Sequence, residues 1–109
     1  MTAVKIFRKN GAIVRVKANG HSGYAEQGSD IVCAAVSSIL ITAYNGCERV
    51  AGVKPGCVER DGMLEFWLPD AMTQEQRLAC THILEAMALG IKDLVTEYQR
   101  YVKSEEIRL

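Results

Sequence analysis

The chain has 109 residues, 49% hydrophobic and 24% charged, the size and balance of one soluble globular domain with its own core. Thirteen Lys and Arg cancel thirteen Asp and Glu, and zero formal net charge argues against direct nucleic-acid binding, although a local basic patch stays open. No unbroken apolar run approaches the ~18 residues of a membrane span, and Met1-Thr2-Ala3-Val4-Lys5 opens no export signal; the expectation is a cytoplasmic protein without membrane contact.

Two alternating runs, Val4-Lys5-Ile6-Phe7-Arg8 and Ile13-Val14-Arg15-Val16-Lys17, flank Asn10-Gly11, a strong hairpin signal. Val4, Ile6, Val14 and Val16 are expected on the buried face, with Lys5, Arg15 and Lys17 opposite. A loop with three glycines, residues 20–29, leads into an apolar run that begins at Ile31. Positions 32, 35, 36, 39, 40 and 43 form a helical stripe, with Ser29 or Asp30 as the N-cap. Asn45-Gly46 either ends this helix or lets it run on toward Val50.

The second half repeats the plan. Gly56-Cys57-Val58-Glu59-Arg60 and Met63-Leu64-Glu65-Phe66-Trp67-Leu68 read as a hairpin around Asp61-Gly62, stopped by Pro69. Thr73-Gln74-Glu75-Gln76 has the form of a capping box. The helix it opens carries a stripe of Leu78, Ile83, Met87, Leu94 and Tyr98, with Gly90 as a weak point. Glu106-Ile107-Arg108-Leu109 is either a short strand or a frayed tail. The order β-β-α-β-β-α predicts an α+β two-layer sandwich, two helices packed on a mainly antiparallel sheet. Neither half can bury its helix alone, so residues 1–109 read as a single domain.

Chemistry has few places to sit. The cysteines at 33, 47, 57 and 80 form no C-x-x-C pair, so reduced thiols are expected, with no metal, no disulfide framework and no cofactor. Phosphate-loop, dinucleotide and zincin motifs are absent from the sequence. His82 lies mid-helix on a different face from Cys80 and reads as a partly buried or surface residue. His21 differs, because Gly20-His21-Ser22-Gly23 falls where the second strand ends and Cys33 falls in the first turn of the next helix. Both ends lie on one rim of the sheet. A thiol there meets unpaired N–H groups and the positive end of the helix dipole, which favour thiolate, as a neighbouring imidazolium does. The competing reading has Cys33 packing beside Ala34 and Val36 and His21 as a polar loop residue; on these residues alone the two stand level.

The segment Gly20-His21-Ser22-Gly23-Tyr24-Ala25-Glu26-Gln27-Gly28-Ser29-Asp30-Ile31-Val32-Cys33-Ala34-Ala35-Val36-Ser37 closely resembles the signature of the ribosomal-processing cysteine protease family (Prp). The shared pattern is a Gly-His pair, a glycine-containing loop, Asp-Ile-Val-Cys-Ala, and a Ser four positions past the Cys. Length and element order match across the chain, while residues outside the signature match only loosely. Ser22 departs from it, since members often carry Ala there; the change leaves the chemistry untouched but can alter the loop. The resemblance implies a homodimeric cysteine endopeptidase. Its substrate would be the N-terminal extension of bacterial large-subunit ribosomal protein twenty-seven, cut behind an aromatic-rich stretch, with Cys33 as nucleophile and His21 as base.

In that mechanism the Cys33 thiolate attacks the scissile carbonyl and His21 passes its proton to the departing amine. Amides at the N-terminus of the first helix are the expected oxyanion donors. Asp30 and Ser37 share the helical face of Cys33 as supporting residues. Asp30 either orients His21 or caps the helix, and Ser37 either touches the thiolate or substrate or allows close packing. Gly20, Ser22, Gly23 and Gly28 belong to a loop expected to be flexible, with residues 22–29 acting as a lid over Cys33. The alternative from another class is a non-catalytic ribosome-associated binding module that uses its basic hairpin face. A thiol redox sensor is weaker, because no resolving cysteine lies near Cys33 in sequence.

Overall fold

Asn10 and Gly11 both take positive φ, 54° and 85°, the pair that a two-residue hairpin turn requires. They join β1 (Thr2–Lys9) to antiparallel β2 (Ala12–Asn19). The ladder slips between Phe7 and Arg8, so that Phe7 faces Arg15 while Arg8 faces Ile13. Val14 is the extra residue of this bulge, and one extra residue reverses the alternation beyond it. The buried residues of β2 are therefore Ile13, Val16 and Ala18, and the expected place of Val14 on that face is corrected to Ile13.

The computed structural model describes residues 1–26 and 28–109; Gln27, inside the expected lid, lies outside the described residues. After the first hairpin come α1 (Ile31–Arg49), β3 (Gly56–Arg60), β4 (Met63–Trp67), α2 (Gln74–Glu97) and β5 (Val102–Arg108). The sheet order is β3-β4-β2-β1-β5, antiparallel except where β5 runs parallel to β1. This is the expected α+β sandwich with one strand added at its edge. The closing segment is a strand and not a tail. Only Val102 of β5 is buried, so the strand rests on its backbone ladder, and its charged side chains suit an edge.

Both helices lie on one face of the sheet. Val32, Val36 and Leu40 of α1 and Leu84 and Ile91 of α2 are buried with Val4, Ile6, Ile13, Val16 and Phe66. Each such side chain stabilises the fold by about 1.5–3 kcal/mol. The buried stripe of α2 is Cys80, Leu84, Met87 and Ile91. Leu78, expected within it, is 58% exposed, because it lies off the face that those four positions define. Helix α1 continues through Asn45-Gly46 because Gly46 is a contact point: a Cβ there would come within 3.1 Å of Ile83. Gly90 plays the same part on α2, against Ile39, and the helix runs unbroken through it.

By length and composition alone, α1 is apolar enough to cross a membrane. Unbroken runs underrate it, since Ser37, Ser38 and Thr42 interrupt the runs without making the helix polar. Its packing is that of a core helix, with Val32, Val36, Leu40, Ala43 and Cys47 buried. At the end of the sheet away from the start of α1, Arg8 binds Glu85 at 2.6 Å and Glu106 at 3.0 Å, tying β1, α2 and β5 together. Its hydrogen bond to Arg8 holds the Glu85 carboxyl below the usual range. On the open face of the sheet Arg15 pairs with Glu65 at 3.0 Å and lies 4.9 Å over the Trp67 ring. Lys17 faces Glu65 and Lys5 faces Glu105 across the ladders.

Candidate active site

β2 ends at Asn19, and Gly20 (φ 90°) turns the chain where any side chain would meet the Met1 carbonyl oxygen at 2.5 Å. The Gly20 N–H donates to the Gly62 carbonyl at 2.7 Å, stitching the loop to the β3–β4 turn. His21 consequently projects over that turn. Its Nε2 lies 3.8 Å from Asp61 Oδ1, too far for a hydrogen bond and an ion pair only when the imidazole is protonated. Gly62 (φ 71°) leaves room for the ring, since a Cβ there would come 3.1 Å from Nε2.

Ser22 turns inward and is only 3% exposed. Its N–H donates to Cys33 Sγ at 3.2 Å, its hydroxyl donates to Asp30 Oδ2 at 2.5 Å, and its Oγ accepts the Tyr24 N–H at 3.2 Å. Asp30 is the N-cap of α1, its Oδ1 accepting the N–H groups of Val32 at 3.0 Å and Cys33 at 2.9 Å. The Ala25 N–H reaches Oδ2 at 3.3 Å. Burial pushes this carboxyl up, but the hydrogen bonds from Ser22, Cys33, Ala25 and Val32 outweigh it and hold the group at about 2. Capping is thus what Asp30 does here; among the described residues no hydrogen bond joins it to His21.

Three of the amides expected as oxyanion donors are engaged within the cap. The amides of Val32 and Cys33 are occupied by the Asp30 carboxylate, and that of Ala34 by the Asp30 carbonyl. The amide that does reach the sulfur belongs to Ser22. Tyr24 meanwhile packs edge-on against Tyr98 and Tyr101, with ring centroids 5.9 and 5.2 Å apart, so the first half of the loop is tied down on two sides.

An open groove of about 840 Å³ runs between α1 and the β3–β4 hairpin. His21, Cys33, Ser37, Asp30, Gly20 and Gly28 all line it, so the topology brings these site residues together. Gly23 is exposed on the loop, and Ser22 is buried behind the sulfur. Ile41 also lines the groove, which explains why α1 is apolar on a second face. Burial, helped by Cys80, pushes Cys47 up to about 12; Cys80 is raised by burial, and Cys57 by burial and Glu59. His82 is exposed on α2, away from this set. Asp61 and Gly62 escaped the sequence reading as site residues. Their Asp-Gly pair signalled only a turn, and the pairing of β4 with β2 is what sets that turn beside His21.

A family model for the cysteine protease Prp matches residues 1–103. The ribosomal processing cysteine protease Prp of Bacillus subtilis (strain 168) is 28% identical over 89 residues, 80% of each chain. A Streptococcus mutans protein of known crystal structure superposes with a TM-score of 0.84 at 28% identity, covering 100% of this chain and 96% of its own. The ribosomal processing protease Prp from S. aureus, solved with a covalently linked product peptide, gives a TM-score of 0.84 at 26% identity, with 97% and 99% covered. With the signature residues gathered on one groove and the family match spanning nearly the whole chain, this protein belongs to the Prp family of cysteine proteases.

Proposed function

We propose that the chain is a cytoplasmic bacterial endopeptidase that removes the N-terminal extension of large-subunit ribosomal protein twenty-seven, with Cys33 as nucleophile and His21 as general base. The observation that carries this reading is the groove, which presents the first-turn thiol of α1 and the imidazole at the end of β2 to one open channel beside the β3–β4 hairpin. An extended peptide suits such a channel, and the S. aureus relative holds a product peptide covalently.

In the proposed reaction His21 takes the Cys33 proton, and Sγ attacks the scissile carbonyl carbon to give a tetrahedral adduct. The adduct collapses to a thioester as His21 protonates the departing amine, and water then hydrolyses the thioester. In the structure His21 faces Asp61, and among the described residues no hydrogen bond links it to Cys33. Proton transfer therefore calls for His21 to swing toward the sulfur, with Gly20 and Gly23 as the flexible points on either side. Peptide bound in the groove would stabilise that position. Ser37 borders the channel and would contact substrate.

The test is a peptide spanning the aromatic-rich extension. Wild-type protein should cut it, and Cys33→Ala should lower the rate at least ~10³-fold. Peptide that binds and stays intact would instead favour a binding module. On the basic face that rival would use, Arg15 is engaged by Glu65 and Trp67, while Lys5 and Lys17 stand opposite each other, flanked by Glu105 and Glu65. A homodimer is part of the proposal, carried by the family resemblance, and light scattering at micromolar concentration should give twice the chain mass.

A further inference from the structure

We propose that Ser22 is a positioning residue, a clasp that joins the loop carrying His21 to the N-cap of the helix carrying Cys33 and so aims its own amide at the Cys33 sulfur. The inference rests on the reading of Cys33 as nucleophile. Three hydrogen bonds meet at this one buried residue, and they connect three things that must keep register: the loop, the cap and the thiol. The hydroxyl is held by a carboxylate, a charge-assisted bond stronger than one between neutral groups. Asp30 is in turn fixed by the Val32 and Cys33 amides, so the anchor at the far end of the clasp is the first turn of α1 itself.

An alanine at position 22, the residue family members often carry and one expected from the sequence to leave the chemistry untouched, would keep the amide and lose the side-chain bonds that orient it in this chain. Asp30 Oδ2 would retain only the Ala25 N–H at 3.3 Å, and the Tyr24 N–H would lose its acceptor. The amide of Ser22 matters more here because those of Val32, Cys33 and Ala34 are already taken. It is the donor that meets the sulfur from the loop side, behind the face that the groove exposes.

The experiment compares the full chain with Ser22→Ala and Ser22→Thr. Cleavage of the extension peptide gives kcat and KM, hydrogen exchange follows the amides of Tyr24 and Ala25, and carbon NMR follows the Asp30 carboxyl. Ser22→Ala should lower kcat about tenfold while KM stays within about twofold, since the group lost positions the reacting atoms and not the peptide. Exchange at Tyr24 and Ala25 should quicken about tenfold or more. The Asp30 carboxyl should titrate at higher pH, as its strongest donor is gone; among the described residues no cationic side chain pairs with it to mask the change. Ser22→Thr, which restores a hydroxyl, should return kcat and the Asp30 titration toward wild type. Unchanged kcat with unchanged exchange in Ser22→Ala would overturn the clasp. So would an Asp30 titration indifferent to the loss of the hydroxyl, a readout that holds even where threonine packs badly. Cleavage that survives Cys33→Ala would instead sink the nucleophile assignment, and the exchange and titration data would still judge the clasp alone.

Discussion

Both helices of this protein begin with a side-chain cap, and the two caps are built for different purposes. At α2, Thr73 and Gln76 satisfy each other's backbone N–H groups at 3.1 and 2.9 Å, in the open and with an acidic residue, Glu75, in the first turn. At α1 the cap is a buried carboxylate, the first turn holds no acid, and a cysteine stands in that turn. The α2 cap closes on its own turn, apart from one link from Gln76 Nε2 to the Gly52 carbonyl. The α1 cap reaches backward to Ser22 and Ala25 and so makes the helix start and the preceding loop one unit. A helix needs only the first kind of cap. In the proposed mechanism the second kind would also hold the nucleophile beside the loop that carries its base.

Removing each cap should separate these purposes. Asp30→Ala should cost about 2–4 kcal/mol in denaturant melts, since it strips the N-cap and leaves the buried Ser22 hydroxyl without its partner. The same variant should lose most peptide cleavage. Thiol reactivity should show nearly as large a contrast. Brief alkylation of folded protein at neutral pH, read by mass spectrometry, should modify Cys33 about tenfold or more ahead of the others. Cys47 and Cys80 are buried, and Cys57, though exposed, has its thiol raised by partial desolvation and by Glu59.

Acid should separate the caps more gently. The Asp30 carboxyl in the folded protein sits at about 2, against an ordinary 3.8, so its contribution to stability is complete above the ordinary value and is lost as pH falls toward 2. Hydrogen exchange in the first turn of α1 should therefore quicken across that window, and Asp30→Asn should flatten the dependence. The Thr73–Gln76 cap has no ionisable member and should show no such step. Smallest of all, Thr73→Ala should cost about 1 kcal/mol and leave peptide cleavage unchanged.

The difference between the caps was only partly visible in the residues. The capping box of α2 is a local pattern, four consecutive residues, and it reads directly. Asp30 as a cap and the His21–Cys33 rim were equally legible, because strand end, loop and helix start follow one another along the chain. The clasp through Ser22 was not, since nothing in the spacing says that a loop serine turns inward and is buried. The His21–Asp61 approach depends on β4 pairing with β2, a contact between residues forty apart in the chain. Val14 misled for the opposite reason: its alternation was locally perfect, and the bulge that displaces it exists only in the paired ladder. Strand β5 hid because one buried valine makes no pattern.

The central claim, that the first turn of α1 carries the nucleophile, is tested most directly by trapping the acyl-enzyme. The extension peptide, mixed with wild-type protein and quenched in acid within one turnover, should leave a thioester that peptide mapping assigns to Cys33. The same adduct should be missing from Cys33→Ala. An acyl group on Cys57 or on any serine, or full cleavage with no adduct and undiminished rate in Cys33→Ala, would contradict the account.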